Sequence, residues 1–179
     1  LIQETAEDFV DQLKANLYTN EIFVLTPNGD LKKLPQGATV LDFAFDIHSN
    51  LGCQCVGAKV NNIKASIKQI LKNGDVVEII TSKNQKPKED WLNVVVTSKA
   101  KGKIRQSIRD EKNKEIALGK EMLYRRLKNW KVPDNEEAIK IIQKSLKIKS
   151  QPDLFSLIAH EKIDLASLKS IILEPEKKV

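Results

Sequence analysis

The first half of the chain combines strand-like runs with one amphipathic helical pattern. Two short strand patterns flank Asn28-Gly29, a pair that suits the positive φ angles of a two-residue hairpin turn. An amphipathic helical pattern follows over residues 39–48. Residues 55–61 and 76–81 have the composition of further strands. The pattern therefore predicts a hairpin, then a helix, then strands that return beside it.

This order of elements is typical of a small β-grasp (ubiquitin-like) layer, which we assign to residues 21–83. Thr39 can cap the helix, and Asp42, three residues on, can complete a capping box. Phe45 and Ala44 are expected to face the sheet. Such a layer suggests a recognition module.

Residues 84–179 change to helical patterns, so we predict an α+β chain whose β-grasp domain is followed by an all-α region. A long basic helix starts at Thr97 or Ser98, and Gly119 within it marks a bend or a break. Two further helices open at Pro133-Asp134 and Pro152-Asp153. Residues 1–20 have the pattern of a preceding helix without an initiator Met, which indicates a fragment of a longer protein.

Positive charge is concentrated in one segment of the chain. The whole sequence has a net charge of +6, but residues 99–131 alone hold twelve basic and four acidic side chains, a net +8. Spacings of four, four and three place four of these cations on one side of a helix; this basic stripe is Lys101, Arg105, Arg109 and Lys112. It predicts contact with a nucleic-acid phosphate backbone, with a solvated lysine-rich face as the alternative.

Enzyme signatures are missing from the sequence. It contains neither G-x-x-x-x-G-K-[ST] nor G-x-G-x-x-G. His48, Cys53 and Cys55 could start a zinc site, but a fourth ligand is not evident, and a C-x-C pair in a strand also suits core packing. Asp42 and Asp46, one helical turn apart, are interpreted as an exposed polar face. We assign no catalytic residue, no metal and no cofactor.

The cysteines and the hydropathy of the chain predict its cellular location. Cys53 and Cys55 lie too close for an unstrained disulfide, and there is neither a signal-peptide pattern nor a membrane-spanning apolar run. We therefore predict a cytoplasmic location without membrane contact. For stacking on an unpaired base, the candidates near the β-grasp are Phe43 and His48; the alternatives are a partly buried core residue for Phe43 and a helix-end surface histidine for His48.

Five motifs occur in order at characteristic spacing: residues 34–39, 42–48, 55–61, 71–82 and 90–93. Together they resemble the TGS domain and following helical region of the long RelA/SpoT-type alarmone synthetase/hydrolases of the bacterial stringent response. The resemblance implies a parent protein that is a guanosine tetra- and pentaphosphate synthetase, hydrolase or both, with its catalytic domains before Leu1.

The resemblance also implies a role for this fragment. In ribosome-associated members, the TGS domain holds the 3′ CCA end of uncharged tRNA, and the helical region lies along the tRNA and ribosomal RNA. His48 matches the histidine of that family that contacts the CCA end. Gln54 stands where the family usually has a basic residue, so a charged contact is lost, and Asn62 replaces a usual glycine but tolerates a tight turn.

The site expected from these observations is His48, Phe43 and Gln54 for the tRNA end, with the basic stripe for the RNA backbone. The alternative is a ubiquitin-like protein-interaction module that docks on the parent's own catalytic domains or on a small acidic partner protein. The electrically neutral β-grasp supports it, since residues 21–82 hold six basic and six acidic side chains.

Overall fold

The computed structural model describes residues 20–173. The chain forms two compact units, Leu1–Ile108 and Arg109–Val179. Within the described residues, no helix is long and apolar enough to cross a membrane. Each unit has its own hydrophobic core.

The first unit contains a mixed sheet in two hydrogen-bonded parts. Its strands are β1 (Glu21–Leu25), β2 (Leu31–Pro35), β3 (Cys55–Val60), β4 (Ile63–Ala65) and β5 (Val77–Thr81). β1 pairs with β2, and β3 lies between β4 and β5, all antiparallel. A parallel bridge from Leu25 to Val76 joins the two parts. This connection gives the predicted β-grasp arrangement.

The tight two-residue turn lies elsewhere than predicted. At the β1–β2 connection only Gly29 has a positive φ, 87°, and its N–H donates to the carbonyl of Thr26 over 2.9 Å. This is a longer loop with glycine at the left-handed position, so the prediction of a two-residue turn at Asn28-Gly29 is wrong. The two-residue turn joins β3 to β4, where Asn61 and Asn62 have φ of 51° and 68°. Asn62 therefore does tolerate the tight turn.

The main helix of the first unit, α1 (Val40–Ile47), begins as predicted. The Thr39 side chain accepts from the Asp42 N–H and the Asp42 carboxylate accepts from the Thr39 N–H, completing the capping box. Phe43, Ala44 and Phe45 are fully buried in the core above β3 and β5. A short helix, α2 (Ser49–Cys53), follows directly.

The first compact unit extends beyond the sheet. After β5 come a loop and a 3₁₀ helix (Glu89–Asn93), and then α3 (Ser98–Asn129). Four later side chains join the same core as the sheet: Trp91, Val95, Ala100 and Ile104. The predicted boundary at residue 83 thus marks the end of the sheet, while the compact unit continues to Ile108, because these apolar side chains are buried in the same core as the sheet.

The second unit has only helical secondary structure in its described residues, 109–173. It contains the later part of α3 with α4 (Asn135–Ser145), α5 (Gln151–Ala159) and α6 (Leu165–Leu173). Asp134 caps α4 and Ser150 caps α5, with Pro152 in the first turn, so both predicted helix starts are confirmed within a residue or two. Fully buried members of the core include Leu123, Leu127, Ile139, Ile142, Leu154 and Leu168.

Gly119 does not break α3, which runs without interruption for 32 residues. A Cβ placed on Gly119 would overlap the backbone carbonyl of Phe155 in α5. The glycine therefore allows two helices to approach closely, and the predicted break is wrong. Helical spacing could not distinguish these roles, since both call for a residue without a side chain.

Candidate nucleic-acid interface

Asp42 is the most highly connected polar side chain of the first unit. Only 1% of it is exposed. Besides the capping box, its carboxylate accepts from the N–H of Val96 over 3.1 Å and the N–H of Thr97 over 3.0 Å. The prediction of an exposed polar face is therefore wrong for Asp42. A buried carboxylate needs such donors, because an unpaired buried charge is strongly unfavourable.

Thr97 extends this network to the start of α3. Its hydroxyl donates to Asp42 Oδ1 over 2.8 Å and accepts from the N–H of Ala100 over 3.3 Å. One carboxylate thus organises the N-termini of α1 and α3 together. The position of α1, and of whatever lies at its other end, depends on this contact.

His48 lies at that other end, where α1 stops and α2 begins. The side chain is exposed, and its Nδ1 accepts from the N–H of Asn50 over 3.1 Å, which caps α2. Because Nδ1 is an acceptor, the proton of the neutral imidazole lies on Nε2. The ring therefore has a fixed orientation, an exposed surface and one N–H to offer a ligand.

Lys99 closes the C-terminal end of α1 near His48. Its ammonium group lies 3.3 Å from the backbone oxygen of Asp46 and 3.9 Å from the Asp46 carboxylate. A cation at the C-terminal end of a helix interacts favourably with the helix dipole. Sequence reasoning missed this contact, since the two residues are 53 positions apart and neither carries a local signal.

Gln54 ends α2 and is partly exposed. Its carbonyl accepts from the N–H of Ser82 over 2.9 Å, and the next carbonyl, of Cys55, accepts from Gln85 Nε2 over 3.2 Å. The segment after β5 is therefore docked beside Gln54 as an ordered loop. We call residues 82–88 the docked loop.

Phe43 cannot take the predicted stacking role. Its side chain is completely buried in the first core, so no base can reach the ring without unfolding of α1. The sequence allowed Phe43 to be a partly buried core residue; the ring is instead completely covered, because the segment around Trp91 and Val95 packs in the same core. The expected tRNA-end site thus reduces to His48 and Gln54.

The cysteines do not favour metal binding. Cys55 is buried, and its Sγ donates to the carbonyl of Gly57 over 3.5 Å. Burial raises the pKa of the Cys55 thiol to about 11, an effect that the Gly57 hydrogen bond only partly offsets. A metal needs the thiolate. Among residues 20–173, no group of three or more His, Cys, Asp or Glu side chains is placed to hold a metal ion.

The four cations of the basic stripe are all in α3, but they differ in surroundings. Lys101 and Arg105 belong to the first unit, and Arg109 and Lys112 to the second. Arg105 and Arg109 are exposed. Lys112 is exposed too, but its ammonium group donates to the Ser156 hydroxyl over 2.9 Å and lies 3.3 Å from a carboxylate oxygen of Glu115. The positive charge of Lys112 is therefore already paired with Glu115 within the second unit.

Glu115 is the centre of that second network. It accepts from the Ser156 hydroxyl over 2.8 Å and contacts His160 as well as Lys112. The Ser156 hydrogen bond, together with Lys112 and His160, holds the pKa of Glu115 below its ordinary value, against the opposing effect of burial. Among the described contacts, the Ser156 hydroxyl bonds to Glu115 and Lys112 and not to the His160 imidazole, so the cluster lacks the geometry of a catalytic triad.

Comparison with known proteins gives a consistent family. Residues 22–81 match the TGS domain family. Over 176 residues (96% of this chain, 23% of the relative), the chain is 38% identical to a GTP pyrophosphokinase of Myxococcus xanthus. It is 42% identical over 117 residues (65% and 17%) to the bifunctional (p)ppGpp synthase/hydrolase SpoT of Escherichia coli. It is 40% identical over 129 residues (70% and 18%) to the bifunctional (p)ppGpp synthase/hydrolase RelA of Mycobacterium tuberculosis. The chain spans at most about a quarter of the length of these relatives.

Proposed function

We propose that this chain, which carries a TGS domain and is homologous to RelA/SpoT-type (p)ppGpp synthetase/hydrolases over most of its length, senses amino-acid starvation by binding the 3′ CCA end of uncharged tRNA on the ribosome. It acts as a regulatory, non-catalytic piece of a cytoplasmic alarmone synthetase, hydrolase or both. The parent's catalytic domains are a second, intramolecular partner.

The observation that supports this proposal is the presentation of His48. The imidazole is exposed at the junction of α1 and α2, and its Asn50 hydrogen bond fixes the ring. An imidazole held in this way can stack on an unpaired base or donate to the base edge. Gln54, at the far end of α2, adds an amide with both donors and an acceptor.

Aminoacylation would be sensed by steric exclusion. If the 3′-terminal nucleotide is enclosed against His48, an amino acid esterified to its ribose competes for the same volume. Uncharged tRNA then binds better than charged tRNA. The exposed Arg105 and Arg109 of α3 contribute contacts to backbone phosphate, which strengthen binding without selecting sequence.

The test compares charged and uncharged tRNA, alone and on ribosomes, with a variant that changes only the ring. Asparagine is an excellent N-cap residue, so His48→Asn keeps the cap of α2 while removing the imidazole. We expect His48→Asn to abolish the preference for uncharged tRNA without altering the thermal unfolding of the chain. Equal affinity of the unaltered protein for both tRNAs would refute the proposal.

A second candidate is a protein-interaction module that docks on the catalytic domains or a small acidic partner. It is favoured by large apolar side chains exposed on the first unit: Leu31 at 60%, Ile63 at 72% and Ile70 at 59%. Isolated exposed apolar residues are common, but an RNA ligand makes little use of them. Changing all three to serine should disrupt this function and leave tRNA affinity unchanged.

A further inference from the structure

We propose that Lys83 and Lys88 of the docked loop bind phosphates of the RNA end received by His48 and Gln54. This inference rests on the proposed function and adds to it the source of positive charge at the site. Sequence patterns pointed only to the basic stripe of α3, whereas the structure brings a second group of cations to the β-grasp itself.

The docked loop is held to the predicted site through backbone groups. The Ser82 N–H donates to the Gln54 carbonyl, and the Gln85 side chain donates to the carbonyl of Cys55. A further turn bond, from the N–H of Gln85 to the carbonyl of Ser82 over 3.1 Å, fixes the loop's course. Lys83 is thus one residue, about 3.8 Å between Cα atoms, from a residue bonded directly to Gln54.

The distance from this loop to His48 suits a short stretch of RNA. His48 and Gln54 cap the two ends of α2, a helix of five residues, so about 7.5 Å of helix separates its ends. An imidazole at one end of α2 and a lysine-bearing loop bonded at the other can therefore contact neighbouring nucleotides of one strand. The imidazole meets a base, and the lysines meet the connecting phosphates.

The charge of the docked loop is positive and accessible. Residues 82–88 hold three lysines and no acidic residue; the first acidic side chain is Glu89. Lys83, Lys86 and Lys88 are all exposed, and Lys86 is left out of the proposal because it already has a partner. Neither Lys83 nor Lys88 forms an ion pair within the described part of the chain. Lys99, by contrast, is already paired with Asp46.

The experiment measures the affinity of the full 179-residue chain for two RNAs as salt is varied. One is a deacylated tRNA, and the other is the same tRNA without its three terminal nucleotides. The test variant is Lys83→Ala/Lys88→Ala. The matched control is Lys64→Ala, an exposed lysine on β4 whose register partner, Lys59, lies four residues along β3 from Cys55, about 13 Å away.

For intact tRNA we expect the double variant to bind about tenfold more weakly and to reduce the magnitude of the salt slope by about 1.4, the loss of two single-strand phosphate contacts. For the truncated tRNA its affinity should equal that of the unaltered protein. Lys64→Ala should bind both RNAs as the unaltered protein does.

Results that refute the role of the docked loop can be distinguished from results that refute the proposed function. If the double variant binds intact tRNA normally while His48→Asn binds it weakly, the role of the loop is refuted and the proposed function stands. A loss as large for truncated as for intact tRNA, or as large for Lys64→Ala, also refutes the loop's role, because it shows general electrostatic attraction. If the unaltered protein binds intact and truncated tRNA equally and His48→Asn changes nothing, the proposed function itself fails.

Discussion

The two units each use one carboxylate to tie a helix to a distant segment, but they surround that carboxylate differently. Asp42 in the first unit is buried and is satisfied by backbone N–H groups and threonine hydroxyls. Glu115 in the second unit retains 20% side-chain exposure and is satisfied by Ser156, Lys112 and His160. The first network has no mobile charged partner, so its geometry should be rigid. The second depends on groups that solvent and pH can reach.

The largest effect is expected from Asp42→Asn. The amide keeps one acceptor oxygen but turns an NH₂ group towards N–H donors, so buried donors lose their partner. We expect the first unit to lose about 3 kcal/mol of unfolding free energy. Denaturant unfolding followed by Trp91 fluorescence, in a Trp130→Phe background, measures this unit alone.

Asp46→Asn is the matched control for that experiment. Asp46 is on the same helix but makes a partly exposed ion pair with Lys99, so the expected loss is below about 1 kcal/mol. If Asp42→Asn proves no more costly than Asp46→Asn, the Asp42 network does not hold the first unit together.

The next effect concerns Gly119, where a methyl group has no room. Alanine is the better helix former by about 1 kcal/mol, yet at Gly119 its Cβ would overlap the Phe155 carbonyl. We expect Gly119→Ala to destabilise the second unit by about 2 kcal/mol through forced separation of α3 and α5. Gly102→Ala, in the same helix with nothing within 4 Å of the new Cβ, should instead stabilise α3. Denaturant unfolding of both variants measures the two changes in stability. If both substitutions stabilise the protein, α3 and α5 do not approach as closely at Gly119 as the structure shows.

The contacts of Asp42 show which kinds of interaction a sequence pattern can reveal and which it cannot. The capping box at Thr39 and Asp42 was predictable, because its partners are three residues apart and its chemistry is local. The bonds from Asp42 to Val96 and Thr97 were not, since nothing in residues 39–48 indicates a partner 54 or 55 positions away. A capping residue and a long-range anchor look identical in sequence.

The candidate site also contains features that the sequence could predict and features that it could not. His48 could be predicted as a helix-end surface residue, because it lies at the end of the helical pattern over residues 39–48. Phe43 could not be excluded, since its burial depends on a later segment folding back over α1. The docked loop had no apolar period to place it, and backbone hydrogen bonds to Gln54 and Cys55 leave no signature in the side chains that follow.

A pH effect should distinguish the two networks. The folded pKa of Glu115 is lower than its ordinary value of 4.5. Its contribution to stability is therefore complete above pH 4.5 and is lost as pH falls through the lower folded pKa. We expect Glu115→Gln to weaken the fall in stability of the second unit below pH 4.5. Unfolding followed by Trp130 in a Trp91→Phe background, from pH 6 to pH 3, measures it. An unchanged pH profile would show that the Ser156 and Lys112 contacts do not stabilise the charged form.

The smallest effect is expected within the basic stripe, and it separates cations that look equivalent in sequence. Arg105 is exposed, whereas the ammonium of Lys112 is held by Ser156 and Glu115. A phosphate must compete with Glu115 for Lys112, so Lys112 gains little on binding RNA. We expect Arg105→Ala to reduce the magnitude of the salt slope of tRNA binding by about 1, and Lys112→Ala to reduce it by less than half as much. Equal slopes for the two variants would mean that the Glu115 network opens when RNA binds, and that all four cations of the stripe act alike.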